Sequence, residues 1–345
     1  MKETLYFPPE WYPQSAIMLT LPQKASDWCE VYDEVIACYK KLIDAIWPTQ
    51  PVVVLVRDKK EAHELLFSSE TLPENVRLHE VPTNDTWVRD YGAITVLKNE
   101  KPVWLDFQFN GWGLKFASDK DNRVNTLITL SGLLGKEVAY ESHLDFVLEG
   151  GSIESDGAGT LMTTQHCLMA PNRNAGKTEK EIELFLKEMF GVEQILWLHH
   201  GALEGDDTDG HIDTLARFCP NNTITYVKCN DPNDSHYREF HLMEQELRQF
   251  TNAEGEAYRL VPLPMPDPIY DEEGRRLPAT YANFLIMNRA VLCPTYAQPE
   301  KDREAMNRLS ELFEGKTIIG VDCRVLITQN GSLHCSTMQF PEGVF

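Results

Sequence analysis

Residues 223–250, TITYVKCNDPNDSHYREFHLMEQELRQF, decide the fold class. The β-branched and aromatic residues 223–229 predict a strand, and residues 237–250 predict a helix in which apolar and charged side chains are interspersed. A strand that leads directly into a helix is the repeating unit of mixed α/β proteins. This stretch therefore indicates an α/β fold.

The same succession returns about five times along the 345 residues, without a repeat at the level of individual residues. Helices are predicted over 27–47, 59–68, 178–190, 237–250 and 301–313, and strands over 52–56, 76–81, 92–97, 159–164, 195–198, 223–229, 284–292, 317–320 and 325–328. No Gly/Ser-rich or Pro-rich linker interrupts them, so we expect one domain over residues 1–345. No helix opens with GxGxxG or GxxxxGK[ST], which argues against a doubly wound nucleotide-binding fold.

The composition limits the classes of partner. The chain has 53 Asp and Glu residues against 32 Lys and Arg residues, a net charge of −21. Such a chain is unsuited to phosphate backbones and anionic lipid, whereas a cationic partner fits it. We see no signal peptide and no apolar run of about 20 residues, so we expect a cytoplasmic protein without a membrane span. The 8 cysteines form no CxxC pair, which predicts reduced thiols.

Four polar, glycine-containing stretches lie beside strand-like runs and are candidates for chemistry: residues 84–92, 149–154, 205–213 and 330–335. The third resembles a calcium loop, but that frame places Gly205 and Ala216 where carboxylates are required. The histidines show no HExxH spacing. We therefore expect no metal ion to be required.

Among the cysteines, Cys335 is distinguished by its position after a glycine turn, whereas Cys38, Cys229, Cys293 and Cys323 fall in apolar segments typical of a core. His211 and Asp213 are two residues apart, and in a strand they would face the same side. Glu149 follows the apolar residues 146–148 and would be costly to bury unpaired.

The acidic side chains also have structural explanations. Asp90 beside Arg89 could form only an ion pair, and the carboxylates of residues 206–209 could belong to a solvated turn. The sequence pattern leaves both alternatives open.

Several motifs, in order and nearly end to end, resemble the agmatine deiminase and bacterial peptidylarginine deiminase family of guanidine-modifying enzymes, which includes the Porphyromonas-type enzymes. The matching residues are Trp87-Val88-Arg89-Asp90, Phe109-Asn110-Gly111-Trp112-Gly113, Glu149-Gly150-Gly151-Ser152-Ile153, Gly210-His211-Ile212-Asp213, Tyr281-Ala282-Asn283-Phe284-Leu285, and Leu333-His334-Cys335 with Gln339. The chain departs from the agmatine deiminase pattern at residues 330–333, where a GGGNI-like stretch is usual.

The resemblance implies a pentein fold, a propeller of five ββαβ modules with pseudo-fivefold symmetry around a central active site. It assigns Cys335 as the nucleophile and His211 as the general acid and base. Asp90 and Asp213 then bind the guanidinium, with Glu149 as a further carboxylate beside it. Trp87 and Trp112 line the substrate site, and no cofactor is needed.

The expected reaction is hydrolysis of agmatine to N-carbamoylputrescine and ammonia, in putrescine biosynthesis. Free arginine or peptidylarginine is the main alternative substrate, and Arg123 and Arg173 are candidates to bind its carboxylate or amide. An amidinotransferase and a non-catalytic acidic polyamine-binding protein are further alternatives. The expected partner is a small cationic guanidine compound, and homo-oligomerisation stays open.

Overall fold

The computed structural model describes residues 4–69 and 71–345, in which the strands form five separate sheets. Residues 1–3, part of the N-terminal segment without a predicted export signal, lie outside the described residues, as does residue 70. In order of neighbouring strands, the sheets are Leu5–Tyr6, Ile94–Lys98, Lys101–Gln108 and Ala139–Val147; Gln194–Leu198, Thr160–Thr164 and Ile153–Ser155; Ala216–Cys219, Thr223–Lys228 and Arg259–Pro264; Leu285–Ile286, Ala290–Thr295 and Thr317–Asp322; and Thr337–Pro341, Gln14–Thr20, Val52–Val56 and Val76–Glu80.

Every sheet combines an antiparallel pair with a parallel strand. Parallel neighbours need a long crossover connection, and each sheet uses a helix for it. These helices are Tyr32–Ile46, Val124–Ser131, Glu179–Phe190, Tyr237–Leu247 and Pro299–Leu312, with Lys59–Leu66 making a further crossover in the last sheet. Shorter helices cover Val88–Tyr91, Gly111–Leu114 and Gln165–Leu168. The prediction of a mixed α/β fold is confirmed.

Local sequence explains where elements start and end. The helix Glu179–Phe190 begins with a capping box, in which Thr178 and Glu181 satisfy each other's backbone amides, and it ends at Gly191 with a φ of 64°. Val52–Val56 has a parallel neighbour on each side and is buried throughout, which requires its continuous aliphatic sequence. Among the described residues, no helix is long and apolar enough to cross a membrane.

Three local predictions were wrong. Residues 284–292 form a hairpin of Leu285–Ile286 and Ala290–Thr295, because the Met287 amide donates to the Ala290 carbonyl and turns the chain. Residues 325–328 fall in a 3-10 helix, Leu326–Gln329, which Asn330 ends at a φ of 65°. His211 and Asp213 do not share a strand face, since His211 precedes the 3-10 helix Ile212–Thr214. Short apolar runs do not separate strand from helix by pattern alone.

Candidate active site

The predicted site residues lie in connections that separate sheets bring together. Asp90 is in the short helix Val88–Tyr91, and Glu149 precedes a 3-10 turn. His211 precedes another 3-10 helix, and Cys335 lies two residues before the last strand. All four are buried. His211 lies 3.5 Å from both Asp90 and Glu149, and Cys335 lines the same pocket as Asp90. The structure thus brings together residues distant in sequence.

The Cys335 thiol is enclosed by oxygen acceptors. Its Sγ donates to Asn283 Oδ1 at 3.5 Å and lies 3.9 Å from Asp213 Oδ2. Burial, and then the charges of Asp213 and Asp90, raise the pKa of Cys335 well above its ordinary value. The free protein therefore holds a neutral thiol here, and a cation placed between these carboxylates would lower its pKa.

The imidazole of His211 lies between two carboxylates. Its Nδ1 is 3.5 Å from Asp90 Oδ1, and its Nε2 is 3.5 Å from Glu149 Oε2. Neither nitrogen makes a hydrogen bond with the part of the chain that the structure describes. Burial opposes the charged ring, but Asp90, Cys167 and Glu149 together outweigh burial and raise the pKa of His211 well above its ordinary value. This side chain can give a proton to a bound molecule.

Asp213 is held by His334, the neighbour of the thiol. His334 Nδ1 lies 2.7 Å from Asp213 Oδ2, and its Nε2 lies 2.7 Å from Glu10 Oε2. Nε2 is also 3.1 Å from Arg217 Nη2, which can only donate, so the tautomer of His334 decides whether Nε2 donates to Glu10 or accepts from Arg217.

Asp213 keeps one oxygen free. Burial opposes its ionisation, but the hydrogen bond and charge of His334 outweigh burial and lower the pKa of Asp213. Its Oδ1 is buried and has no hydrogen-bond partner among the described residues. Buried polar atoms are rarely left unpaired, so this oxygen marks a position for a ligand donor.

Asp90 is oriented by neutral donors. Trp112 Nε1 donates to its Oδ2 at 2.9 Å, and the Gly151 amide donates to its Oδ1 at 3.0 Å. Burial raises the pKa of Asp90 to about 6, against the opposing effect of His211. No ion pair joins Asp90 to Arg89, whose Nη1 donates instead to Gln339 at 2.5 Å. The simple ion-pair explanation for Asp90 was wrong.

Gly151 leaves room for the site. A Cβ at this position would lie 2.7 Å from Asp90 Oδ1, 2.7 Å from His211 Nδ1 and 3.1 Å from Asp213 Oδ2. Three functional groups therefore converge on the space that any other residue would fill. This close approach explains why a glycine follows Glu149-Gly150.

Glu149 is not buried unpaired. Arg173 Nε donates to its two oxygens at 3.0 and 2.8 Å, and Arg173 Nη1 donates to Asp209 Oδ2 at 2.7 Å. Burial opposes ionisation of Glu149, but Arg173 and His211 together outweigh burial and lower the pKa of Glu149. Arg173 is thereby committed to protein carboxylates rather than to a substrate. Arg123 is exposed and does not line the pocket around Cys335.

A pocket of about 590 Å³ has Cys335, Asp90 and Trp112 in its lining. Trp87 also lines it and packs against Trp28, with 5.7 Å between ring centroids. A Cβ at Gly331 would lie 2.4 Å from the Trp87 ring, so the glycine of the divergent stretch 330–333 is needed to seat this ring. The other lining residues include the carboxylates Asp27, Asp85, Asp206 and Asp207, and none is Lys, Arg or His.

Sequence reasoning missed four residues of the site. Asn283 and His334 lie inside matched motifs, but the motifs alone gave them no role. Arg173 was weighed only as a substrate ligand, and its pairing with Glu149 depends on contacts between distant segments. Glu10 is 324 residues from its partner His334, and no local pattern marks it.

Two buried clusters carry groups that bind metal ions. In the first, Glu10, Glu154 and His334 surround Arg217, whose guanidinium already pairs with both glutamates. This cation occupies the place an ion would take. The second cluster is Glu149, Cys167 and His211. Arg173 donates to both oxygens of Glu149, whereas His211 Nε2 has no hydrogen bond among the described residues and is free to bind an ion.

The site thus combines a buried thiol, an imidazole and several carboxylates, an arrangement that suits a planar cation as ligand. The model of the Porphyromonas-type peptidyl-arginine deiminase family matches residues 6–341, and the chain belongs to this family.

Its relatives include a protein of Marinomonas sp. (strain MWYL1) with the provisional name agmatine deiminase, 32% identical over 99% of this chain and 98% of that protein. A structure of a provisionally named arginine deiminase from Porphyromonas gingivalis is 48% identical with a TM-score of 0.94, and covers 99% of this chain and 100% of that one. A cysteine-to-serine variant of C. jejuni agmatine deiminase with substrate bound is 40% identical with a TM-score of 0.92, and covers 99% and 98%.

Proposed function

We propose that the protein hydrolyses the guanidinium group of agmatine to give N-carbamoylputrescine and ammonia. One observation carries the choice of agmatine: the pocket that reaches Cys335 is lined by carboxylates and lacks a basic side chain. Agmatine ends in an amine, whereas free arginine also carries a carboxylate. The relatives named agmatine deiminase support the same choice.

In the described part of the chain, no basic side chain lines the pocket beside these carboxylates, although Lys115 outside the lining partly offsets the charge of Asp207. Burial raises the pKa of Asp85 to about 6, and the charges of Asp27 and Asp207 add to the effect. Burial likewise raises the pKa of Asp207, although Asn330 donates to it at 2.9 Å. An ammonium group placed here would relieve this repulsion and bind favourably. A carboxylate at the same place would increase the repulsion.

At the other end of agmatine, the guanidinium group donates hydrogen bonds to carboxylate oxygens of the site. Asp90 and the free Oδ1 of Asp213 accept its N–H groups and fix its plane. Its positive charge offsets the two carboxylates that hold Cys335 protonated, so substrate binding itself promotes the thiolate. The substrate thus activates the nucleophile that attacks it.

The covalent steps follow from these positions. Cys335 loses its thiol proton to solvent when the substrate binds, and the thiolate attacks the guanidinium carbon to form a C–S bond. A C–N bond breaks as His211 donates a proton to the departing ammonia. His211 then takes one proton from water, whose oxygen attacks the same carbon. The C–S bond breaks, and the thiolate takes the second proton of that water as the product carbonyl forms. The product retains the carbonyl oxygen from that water. Glu149, held by Arg173, keeps the imidazole charged before proton transfer.

The finer architecture is also part of the proposal. Five sheets, each with an antiparallel pair and a helical crossover to a parallel strand, support a five-module propeller that forms one catalytic domain. Site residues in connections between different sheets support a central active site. We further propose a cytoplasmic enzyme that does not bind nucleic acid, in keeping with the net charge of −21.

Ammonia release tests the substrate. Agmatine, arginine and a peptide with C-terminal arginine are compared at equal concentration, and agmatine is expected to give the highest kcat/KM. A higher value with either arginine compound would refute the choice of agmatine. Cys335→Ala is expected to remain folded and inactive, and activity in this variant would remove Cys335 from the nucleophile role.

The remaining alternatives give different products. An amidinotransferase would transfer the amidino group to added amines such as glycine instead of releasing N-carbamoylputrescine. A binding protein would bind agmatine without ammonia release and without an adduct at Cys335. Mass spectrometry of the product and of the trapped protein separates these outcomes from hydrolysis.

A further inference from the structure

A second buried thiol lies beside the imidazole of His211, on the side away from Asp90. Cys167 has no exposed surface, and its Sγ is 3.8 Å from Glu149 Oε2. The ligand atoms of Cys167, Glu149 and His211 all lie within 4.8 Å of one another. His211 Nε2 is directed at Glu149, fully buried and without a hydrogen bond among the described residues. The catalytic steps above leave Cys167 without a role.

The spacing of these atoms fits a tetrahedral ion. Zinc bonds to nitrogen and oxygen at about 2.1 Å and to sulfur at about 2.3 Å, so tetrahedral ligands are about 3.4 Å apart for N and O and about 3.6 Å apart for S and O. The observed separations are 3.5 Å between His211 Nε2 and Glu149 Oε2, and 3.8 Å between Cys167 Sγ and the same oxygen. The third separation, between the ligand atoms of Cys167 and His211, is within 4.8 Å and would close to about 3.6 Å around an ion.

We propose that one Zn²⁺ binds to Glu149 Oε2, Cys167 Sγ and His211 Nε2 and inhibits the enzyme. Thiolate, imidazole and carboxylate are the donors that zinc prefers. Binding forms three metal–ligand bonds, releases the thiol proton of Cys167 and displaces any proton from Nε2, without oxidation or reduction. The ion replaces the 2.8 Å hydrogen bond from Arg173 Nε to Glu149 Oε2, and Arg173 keeps Glu149 Oε1, 3.0 Å away, as its partner.

Inhibition follows from the loss of the imidazolium form. The ring of His211 must exchange a proton with the leaving ammonia and then with water, so its protonation state has to change in each turnover. With a metal ion on Nε2, the ring cannot form an imidazolium, and the basicity of Nδ1, the nitrogen that faces Asp90 and Gly151, is lowered. The ion lies behind the imidazole, so agmatine and zinc do not compete for the same atoms.

Binding is tested on the Cys335→Ala protein, which lacks the nucleophilic thiol. After treatment with a chelator, equilibrium dialysis is expected to show one Zn²⁺ per chain, and Co²⁺ is expected to give thiolate-to-metal charge-transfer absorption. Adding Cys167→Ser should weaken Zn²⁺ binding at least about tenfold and remove that absorption. Adding Cys29→Ser, at an exposed cysteine, is the matched control and should change neither.

Two results would overturn the proposal. Unchanged affinity after Cys167→Ser would exclude this thiol as a ligand, and loss of binding in Cys335→Ala alone would place the ion on the nucleophile. If Cys167→Ser does not fold, Cys167→Ala is compared in the same way. These measurements do not depend on turnover.

The inhibition itself rests on the proposed function and is measured as ammonia release from agmatine. Zn²⁺ is expected to lower kcat in wild type with little change in KM, and a chelator should restore it. In Cys167→Ser, the Zn²⁺ concentration that halves the variant's own rate should be at least about tenfold higher than in wild type. An unchanged value would contradict the assignment, whereas a wild-type protein inactive on agmatine without zinc would contradict only the function.

Discussion

Two substitutions of His334 separate the contributions of its contacts with Asp213 and Glu10. In His334→Asn, the side-chain amide nitrogen takes the place of Nδ1 and can still donate to Asp213. In His334→Gln, the amide nitrogen takes the place of Nε2 and can still donate to Glu10. The wild-type distances are 2.7 Å on each side, so both variants lose one bond of equal length. Only the Gln variant loses the bond on the side of the nucleophile.

The magnitude follows from the loss of one hydrogen bond to a buried carboxylate, about 1.5 to 3 kcal/mol. Both variants should therefore lose about that much free energy of unfolding. If the bond to Asp213 fixes the carboxylate that binds the guanidinium, His334→Gln should also lose about 10-fold to 150-fold in kcat/KM. His334→Asn should lose less than about 5-fold, because Asp213 keeps a neutral donor.

Urea unfolding and initial rates of ammonia release measure these two quantities. The pH profile gives a further readout, because His334 lowers the pKa of Asp213. Without that bond the pKa rises, so the acidic limb of kcat/KM should move to higher pH in His334→Gln. Equal losses of kcat/KM in the two variants, or a larger loss in His334→Asn, would refute the assigned role of the Asp213 side.

Three other substitutions or conditions give definite expectations. Gly151→Ala should lower kcat/KM at least about 100-fold in a folded protein, since its Cβ would lie 2.7 Å from Asp90 and His211; near-normal rates with normal circular dichroism would contradict this. As pH falls through about 6, where Asp85 gains its proton, KM for agmatine should rise more than KM for an alkylguanidine without an amine; parallel profiles would exclude a role for Asp85. Arg173→Met should cost about 3 to 5 kcal/mol in unfolding free energy by leaving Glu149 unpaired, whereas Arg275→Met at an exposed pair should leave the unfolding midpoint unchanged.

The sequence was sufficient for elements whose signals are local. The strand Val52–Val56 and the helix Glu179–Phe190 follow from an aliphatic run and from a capping box with a terminal glycine. Residues 284–292 failed because a turn within an apolar run depends on the hydrogen bond between Met287 and Ala290. A pattern of apolar residues carries no information about that bond.

The site was predictable to the extent that reactive residue types are visible in motifs. Asp90, Glu149, His211 and Cys335 were singled out in this way, and they do converge. His211 and Asp213 do face the same space beside Gly151. They do not share a strand face, however, since a 3-10 helix follows His211. Supporting residues such as Arg173 and Glu10 are distant in sequence from the groups that they contact, so no local pattern predicts the contacts.

Among the carboxylates that surround the place of the guanidinium, Asp90 lacks a full counter-charge. Glu149 has Arg173, Asp213 has His334, and Glu10 has Arg217. Asp90 has only neutral donors at hydrogen-bonding distance and His211 at 3.5 Å, and its pKa rises to about 6.

The missing positive charge at Asp90 is therefore supplied by the ligand. A guanidinium placed there ionises Asp90 fully and, through the same field, lowers the pKa of Cys335. Cation binding and thiol activation are thus one electrostatic event. A bound guanidinium compound should therefore increase the reactivity of Cys335 toward a small alkylating reagent, whereas a neutral urea of the same shape should leave Cys335 unreactive.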